Sequence, residues 1–378
     1  MPSPEPGAAF ADVRRDARRE LEICNACRYC EGFCAVFPAM MQRRTFGDGD
    51  IAYLANLCHD CKGCFHACQY APPHPFGVNL PQTLAEVRHA TYEQYAWPAP
   101  LARLFRHNGV VVCAAGALGI ALALLLVALL RGADLSMPAG TGPGAFYAVI
   151  PASVMVALGA GAAGYAIVAL AAGASRFWRD TGGGTPLAPR PAGVALGDVF
   201  TLRYLGGGHG GADGCNDADE SFSQHRRRFH HLLFYGFLLC FASTTVAAFD
   251  EHVLGLAAPY PLLSLPVVLG TIGGLGMIGG AVGLGWIKVI TDPAPTARAV
   301  LGADYALLGL LAAIAADGLL LLALRAGPAM AVLLTVHLGL VIAFFLVIPY
   351  SKMVHGLYRF LALLRNAIES RREKRWNE

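Results

Sequence analysis

Six long uncharged apolar runs constrain this chain more than any other feature. They are Val110 to Leu130, Phe146 to Gly173, Leu232 to Phe249, Leu262 to Ile287, Tyr305 to Leu324 and Ala329 to Tyr350. A helix rises about 1.5 Å per residue and a bilayer core is about 30 Å thick, so each run is long enough, or nearly so, to cross it. Charged residues are 15% of the chain and mean hydropathy is +0.48, whereas a soluble domain carries about a quarter charged residues. Collagen, a disordered tail and a small disulfide scaffold are excluded. The net charge of +3 is small and the basic residues form no single patch, so nucleic acid is not an expected partner.

The Lys and Arg positions set the expected orientation. Arg103, Arg106, Arg176, Arg179, Arg190, Arg203, Arg226 to Arg228, Lys288, Arg298, Lys352, Arg359, Arg365, Arg371, Arg372, Lys374 and Arg375 all fall on one side of the six runs. The opposite loops carry little beyond Arg131, Asp134, Asp250, Glu251 and Arg325. Residues 1 to 23 have no apolar signal-like core. The expectation is a multi-pass protein of the bacterial inner (cell) membrane, in contact with lipid, with both termini cytoplasmic. Residues 181 to 214 are rich in Gly and Pro and read as an irregular loop, and the cluster 206 to 214 lacks the strand-then-helix setting of a nucleotide fingerprint.

Eight of the 11 cysteines fall between Cys24 and Cys68. They form Cys24-x2-Cys27-x2-Cys30-x3-Cys34 and, again, Cys58-x2-Cys61-x2-Cys64-x3-Cys68. This rhythm is used to hold two [4Fe–4S] clusters, with the fourth cysteine of each group crossing to the other cluster. Cys24, Cys27, Cys30 and Cys68 are thus expected around one cluster, and Cys58, Cys61, Cys64 and Cys34 around the other. Structural zinc is the rival, but it usually takes separate C-x2-C knuckles. Ala35 and Gln69 stand where a ferredoxin often has Pro. His59 and His66, between ligands, read as donors to sulfur or as merely exposed. Cys113 and Cys215 have no partner spacing and read as inert.

Histidines recur at the ends of the runs and inside them. His230 and His231 open the third, His252 closes it, His337 lies inside the sixth and His355 follows it. With the sixth run continued as one helix, His231 meets His355 near the cysteine side and His252 approaches His337 toward the other. Bis-His haem b takes one ring from each of two facing helices. The cytoplasmic-side pair is therefore His231 with His355, with His230 as substitute for His231, and the second pair is His252 with His337. One haem is expected and two are allowed. Asp317 is the only carboxylate deep in a run; it reads as a partner orienting His337, a quinone or proton site, or a buried Asp bonded to backbone.

The stretch Cys58-His-Asp-Cys-Lys-Gly-Cys-Phe-His-Ala-Cys-Gln-Tyr-Ala-Pro-Pro-His74, with Val78-Asn-Leu-Pro81, Leu84-Ala-Glu86, Tyr95-Ala-Trp-Pro98, Arg228-Phe-His-His231, Cys240-Phe-Ala-Ser-Thr-Thr245 and Asp292-Pro-Ala-Pro295, resembles the tricarballylate (citrate) utilisation protein B family. The sixth run, His337 to Pro349-Tyr-Ser-Lys-Met-Val-His355, is similar to the last span of the haem-binding gamma subunit of respiratory nitrate reductases, in which the two corresponding histidines are haem ligands. The third run departs from that subunit: Cys240 and Phe241 stand where a second His belongs, about ten residues after the first. The resemblance implies a role in reoxidising the reduced FAD of a partner dehydrogenase. That FAD-dependent dehydrogenase acts on tricarballylate, and a quinone is the final acceptor. No flavin motif is evident, so the flavoprotein is a separate chain.

Taken together, these readings predict an α-helical chain. Residues 1–108 are a loop-rich, ferredoxin-like cytoplasmic domain with two [4Fe–4S] clusters. Residues 109–356 are a six-helix transmembrane bundle holding haem b, with a cytoplasmic loop at 174–228, and residues 357–378 are a basic cytoplasmic tail. The rival functions are a redox sensor or assembly subunit without turnover, and an accessory oxidase for a cobalamin-pathway flavoprotein.

Overall fold

Backbone groups inside a bilayer have no water to bond to, and helices satisfy them internally. The computed structural model describes residues 6–131, 142–182, 189–207 and 213–377. Among them it is helical, with no strand and one isolated bridge between Cys215 and Ser223. Asp134 and residues 208–212 of the glycine cluster lie outside the described residues.

The cysteine region contains α1 (Pro6–Cys27), α2 (Val36–Met41), α3 (Asp48–Leu57), α4 (Gly63–His66), α5 (Leu80–Tyr95) and α6 (Ala99–Leu104). It is therefore built on helices, not on loops: Cys24 and Cys27 end α1, Cys64 lies in α4 and the other five cysteines sit in the turns between, with α1, α3 and α5 packed together. The membrane body follows with α7 (Asn108–Arg131), the short α8 (Ala145–Val149), α9 (Ala152–Asp180), α10 (Pro189–Phe200), α11 (His225–His252), α12 (Leu265–Ile290), α13 (Leu301–Leu324) and α14 (Met330–Val347). The last element is α15 (His355–Asn377). Six helices are long and apolar enough to cross a membrane, the first joining α6 to α7. The chain is a multi-pass membrane protein.

Small residues let these helices approach closely, as is usual where no hydrophobic force drives helix pairing. A Cβ at Gly119 of α7 would lie 2.5 Å from the Gly339 carbonyl oxygen of α14, and one at Gly236 of α11 would lie 2.6 Å from the Met277 amide of α12. α11 runs along α12; α14 packs on α7, α9 and α13. α11 and α14 instead face each other across a gap bridged by Phe237 and Phe344, whose ring centres are 5.8 Å apart.

Three expectations are corrected here. The sixth span does not continue to His355: α14 stops at Val347, two residues before Pro349, which lacks the amide a helix interior requires. His337 and His355 thus belong to different helices. The basic tail expected from residue 357 is helical as far as Asn377. Through Ile368, α15 buries Tyr358, Ala362, Leu363, Leu364 and Ile368 in the same core as Ile51, Tyr53, Leu54 and Leu84 of the cysteine region. Phe177 of α9 stacks on Tyr358 at 5.0 Å, and Arg43 and Arg365 bridge Asp50 and Glu369 around the Tyr53 ring. The boundary near residue 108 is therefore not a boundary of the core. Finally, the stretch 174–228 is only partly loop, because α9 runs on to Asp180 and α10 buries Ala195 against the cysteine region.

Candidate iron–sulfur and histidine sites

Each cysteine turn is set by backbone that ordinary residues rarely adopt. Arg28, between Cys27 and Cys30, and Asp60 and Lys62, flanking Cys61, have φ of 59°, 56° and 64°. Left-handed conformations at non-glycine residues cost free energy and concentrate at functional sites. Here they turn amides toward sulfur: Asp60 N–H donates to Cys58 Sγ at 3.4 Å, Gly63 N–H to Cys61, and the Val36 and Phe37 amides to Cys34. The Gln69 side chain donates to Cys27 Sγ at 3.8 Å.

The eight sulfurs fall into two groups. Cys24, Cys27, Cys30 and Cys68 line one cavity of about 250 Å³, whose wall Cys64 of the second group also reaches. Cys34 lies beside Cys58, Cys61 and Cys64. Each quartet thus takes three close cysteines from one segment and a fourth from the other. Among the described residues, no three His, Cys, Asp or Glu converge as ligands of a single ion would, whereas thiolates around a four-iron body stand farther apart. Desolvation raises the free thiols: Cys30 is pushed up to about 12, by burial first and then by Cys68 and Cys27, and Cys61 to about 11. Iron ligation requires the thiolate, so such sulfurs ionise only with a cation to bind.

The quartets differ in setting. Around Cys27 and Cys30, residues Ala26, Arg28, Tyr29, Glu31 and Gly32 are exposed. The second quartet faces the membrane body. The Cys61 carbonyl accepts from Asn216 N–H at 2.9 Å, Lys62 Nζ donates to the hydroxyls of Thr291 and Thr296, and Arg226 pairs with Asp60 and Asp217. The buried Arg88 and half-buried Arg359 both donate to the Cys58 carbonyl, at 2.6 and 2.8 Å. Desolvation and Arg88 together pull the Arg359 guanidinium down to about 10. Two desolvated cations beside Cys58 are costly unless its sulfur is a thiolate, the form iron demands. The donor set therefore fits an iron–sulfur centre. The His59 ring packs at a tilt against Tyr204, 5.3 Å between centres, and His66 Nε2 lies 3.9 Å from Asp292 Oδ2.

Arg359 is one turn from His355 on α15, and the histidine it leads to is His230, not His231. The His230 and His355 ring centres are 6.3 Å apart and their planes cross at 80°. A metal–imidazole bond of about 2 Å on each side, plus about 1 Å from nitrogen to ring centre, separates two axial ligands of one iron by about 6 Å. The His355 Nδ1 faces the Lys352 carbonyl at 2.5 Å, which leaves Nε2 for a ligand. Desolvation, followed by Arg359 and His230, pushes His355 well below its ordinary value, so the ring is neutral and able to ligate. His231 points away, toward Tyr235 and the carbonyls of Phe200 and Thr201. Adjacent residues on a helix point about 100° apart, and only packing reveals which faces inward.

The far pair is not brought together. From the Phe237–Phe344 contact, His337 lies seven residues farther from the cysteine region and His252 fifteen. The difference of eight residues is about 12 Å of helix rise, too much for one iron. His252 caps α11 with its Nδ1 at the Ala248 carbonyl, 2.9 Å away. His337 has its Nδ1 3.2 Å from Asp317 Oδ2, outside good hydrogen-bond alignment. Cys215 is fully buried with its thiol toward the Leu205 carbonyl, and Cys113 is exposed.

The family described as Citrate utilization protein B matches residues 103–375, and its Fer4-like domain matches residues 17–94, a range that contains all eight cysteines. The Escherichia coli protein named Citrate utilization protein B is 48% identical over 367 residues, covering 97% of this chain and 95% of its own length. The chain belongs to the citrate utilization protein B family. No solved structure matches it. With a Fer4-like domain joined to a six-span body, this family member has an iron–sulfur electron-transfer role in a membrane.

Proposed function

We propose that the chain reoxidises a partner FAD-dependent dehydrogenase of the tricarballylate dehydrogenase type and passes the electrons through two [4Fe–4S] clusters and haem b to the quinone pool. The observation that carries this reading is the continuous contact from solvent to membrane: a quartet flanked by exposed residues, a second quartet against the body, Arg359 of α15 donating to the Cys58 carbonyl, and His355 of the same helix facing His230. In this reading Cys24, Cys27, Cys30 and Cys68 hold the cluster next to the flavoprotein, and Cys34, Cys58, Cys61 and Cys64 hold the inner one. His230 and His355 hold haem b. The clusters and haem supply one-electron carriers; the protein's contribution is to place and tune them.

The chain's own groups do that tuning. Amides aimed at Cys34, Cys58 and Cys61, with the cations Arg88 and Arg359, favour the more negative, reduced state of the inner cluster. Both termini and the cysteine region lie in the cytoplasm of a bacterial inner membrane, because the Lys and Arg gather on that side. The test is anaerobic purification followed by optical and EPR spectroscopy. Two cubane signals and a haem band that bleach with a reduced flavoprotein and recover with a quinone support the relay. Centres that never cycle would identify a sensor, and colourless, iron-free protein would end the proposal.

A further inference from the structure

The half of the membrane body farther from the cysteines encloses a cavity of about 1010 Å³, between α11, α12, α13, α14 and the α8–α9 segment. The iron centres assigned above leave it unfilled. Its wall is mostly apolar, and two members, Phe241 and Val156, are also exposed on the lipid-facing surface. The space therefore opens sideways onto lipid. Glu251 and His252 mark its outer rim at the end of α11. His337 projects into its depth.

Asp317 stands behind that ring, outside the wall itself. Its Oδ2 is 3.2 Å from His337 Nδ1, and both atoms are buried with no hydrogen-bond partner among the described residues. Gly318 makes the arrangement fit, since a Cβ there would lie 2.9 Å from the ring's Cε1. A carboxylate at membrane depth is costly and by default marks a working site. Here it lies against the Nδ1 edge of a ring that lines the cavity. Across the cavity no second imidazole sits at this depth among the described residues: Cys240 Sγ leans to the Gly270 carbonyl and Thr244 donates to the Cys240 carbonyl. An axially ligated iron would lack its partner. What remains is a roomy, mostly apolar chamber entered from lipid, with one proton-bearing ring in its depth backed by a carboxylate and with Glu251, His252 and Arg325 also in its wall, in the volume range of small-molecule sites, about 300 to 1,000 Å³.

We infer that this cavity binds the head group of a membrane quinone, with His337 giving a proton to a quinone carbonyl oxygen and Asp317 resupplying the ring. This rests on the proposed relay, whose reduced iron centres provide the electrons. Two electrons and two protons convert the quinone to the quinol: each C=O becomes C–O–H, one proton passes over His337, and the other enters past Glu251 and His252. The isoprenoid tail leaves between Phe241 and Val156.

The detergent-solubilised full chain with its iron centres, reduced by dithionite, is mixed with a short-chain benzoquinone or with ferricyanide, and a photoreactive azidobenzoquinone maps the site by peptide mass. Label is expected on α11 and α14 around Phe241 and Phe344. Asp317→Asn and His337→Ala are expected to slow reoxidation by the quinone about a hundredfold, as for loss of a positioned acid, with cluster and haem spectra retained and Asp317→Glu restoring most of the rate. Label elsewhere, or unchanged quinone rates in both variants, would overturn the site. Haem lost from His337→Ala would assign the chamber to a second haem and overturn it equally. An absence of reducible iron in the wild type would instead strike the relay, and the labelled position would still judge the chamber.

Discussion

The two ends of the membrane body use the same residue type for different ends. Near the cysteines, His230 of α11 and His355 of α15 face each other with ring centres 6.3 Å apart, while Arg359, one turn along α15, holds the Cys58 carbonyl. At the far end, His252 and His337 differ in depth by about 12 Å, and His337 looks into open space with a carboxylate at its back. A histidine held against a second histidine is preorganised for metal. One held against an acid is preorganised for a proton. Position along the helix, more than residue identity, decides between them.

The sharpest way to break this comparison is at the near pair. His230→Ala is expected to remove the haem band completely while His231→Ala retains it, measured by pyridine haemochrome; the opposite result would return the ligand to His231. Next in size, Leu363→Ala opens a hole where α15 closes the cysteine core and is expected to cost about 2–5 kcal/mol, read as a lower midpoint of thermal unfolding with the α7–α14 helices still inserted. A smaller effect is expected from Arg359→Gln. Removing the cation beside Cys58 shifts the inner cluster to a more negative reduction potential, seen by EPR-monitored titration, and a shift the other way would contradict the tuning role. The smallest belongs to His252→Ala, which leaves haem content unchanged; a halved haem content would restore the far pair and dissolve the contrast.

Much of this was legible in the residues. The six spans declared themselves because a bilayer demands uninterrupted apolar length, and the duplicated cysteine spacing pointed to an iron–sulfur domain, where the Fer4-like match falls. The choice of His230 over His231 was not legible, since neighbours in a helix carry no sequence label for the face they occupy. The break after Val347 was signalled by Pro349, and reading through it produced the false depth match of His252 with His337. α15 was hidden by its charge: Arg359, Arg365 and Arg371 suggest a solvated tail, yet Tyr358, Ala362, Leu363 and Ile368 recur at helical spacing beneath them. Long basic side chains can cover apolar surface while their heads reach carbonyls and carboxylates, as Arg359 and Arg365 do here.

The placement of α15 also sets an order of events during synthesis. The cysteine turns leave the ribosome first, but the wall formed by Tyr358, Leu363 and Leu364 is translated only after all six spans. A polypeptide cut short before codon 355 therefore lacks Tyr358, Leu363 and Leu364, the last wall of the core that the cysteine region shares.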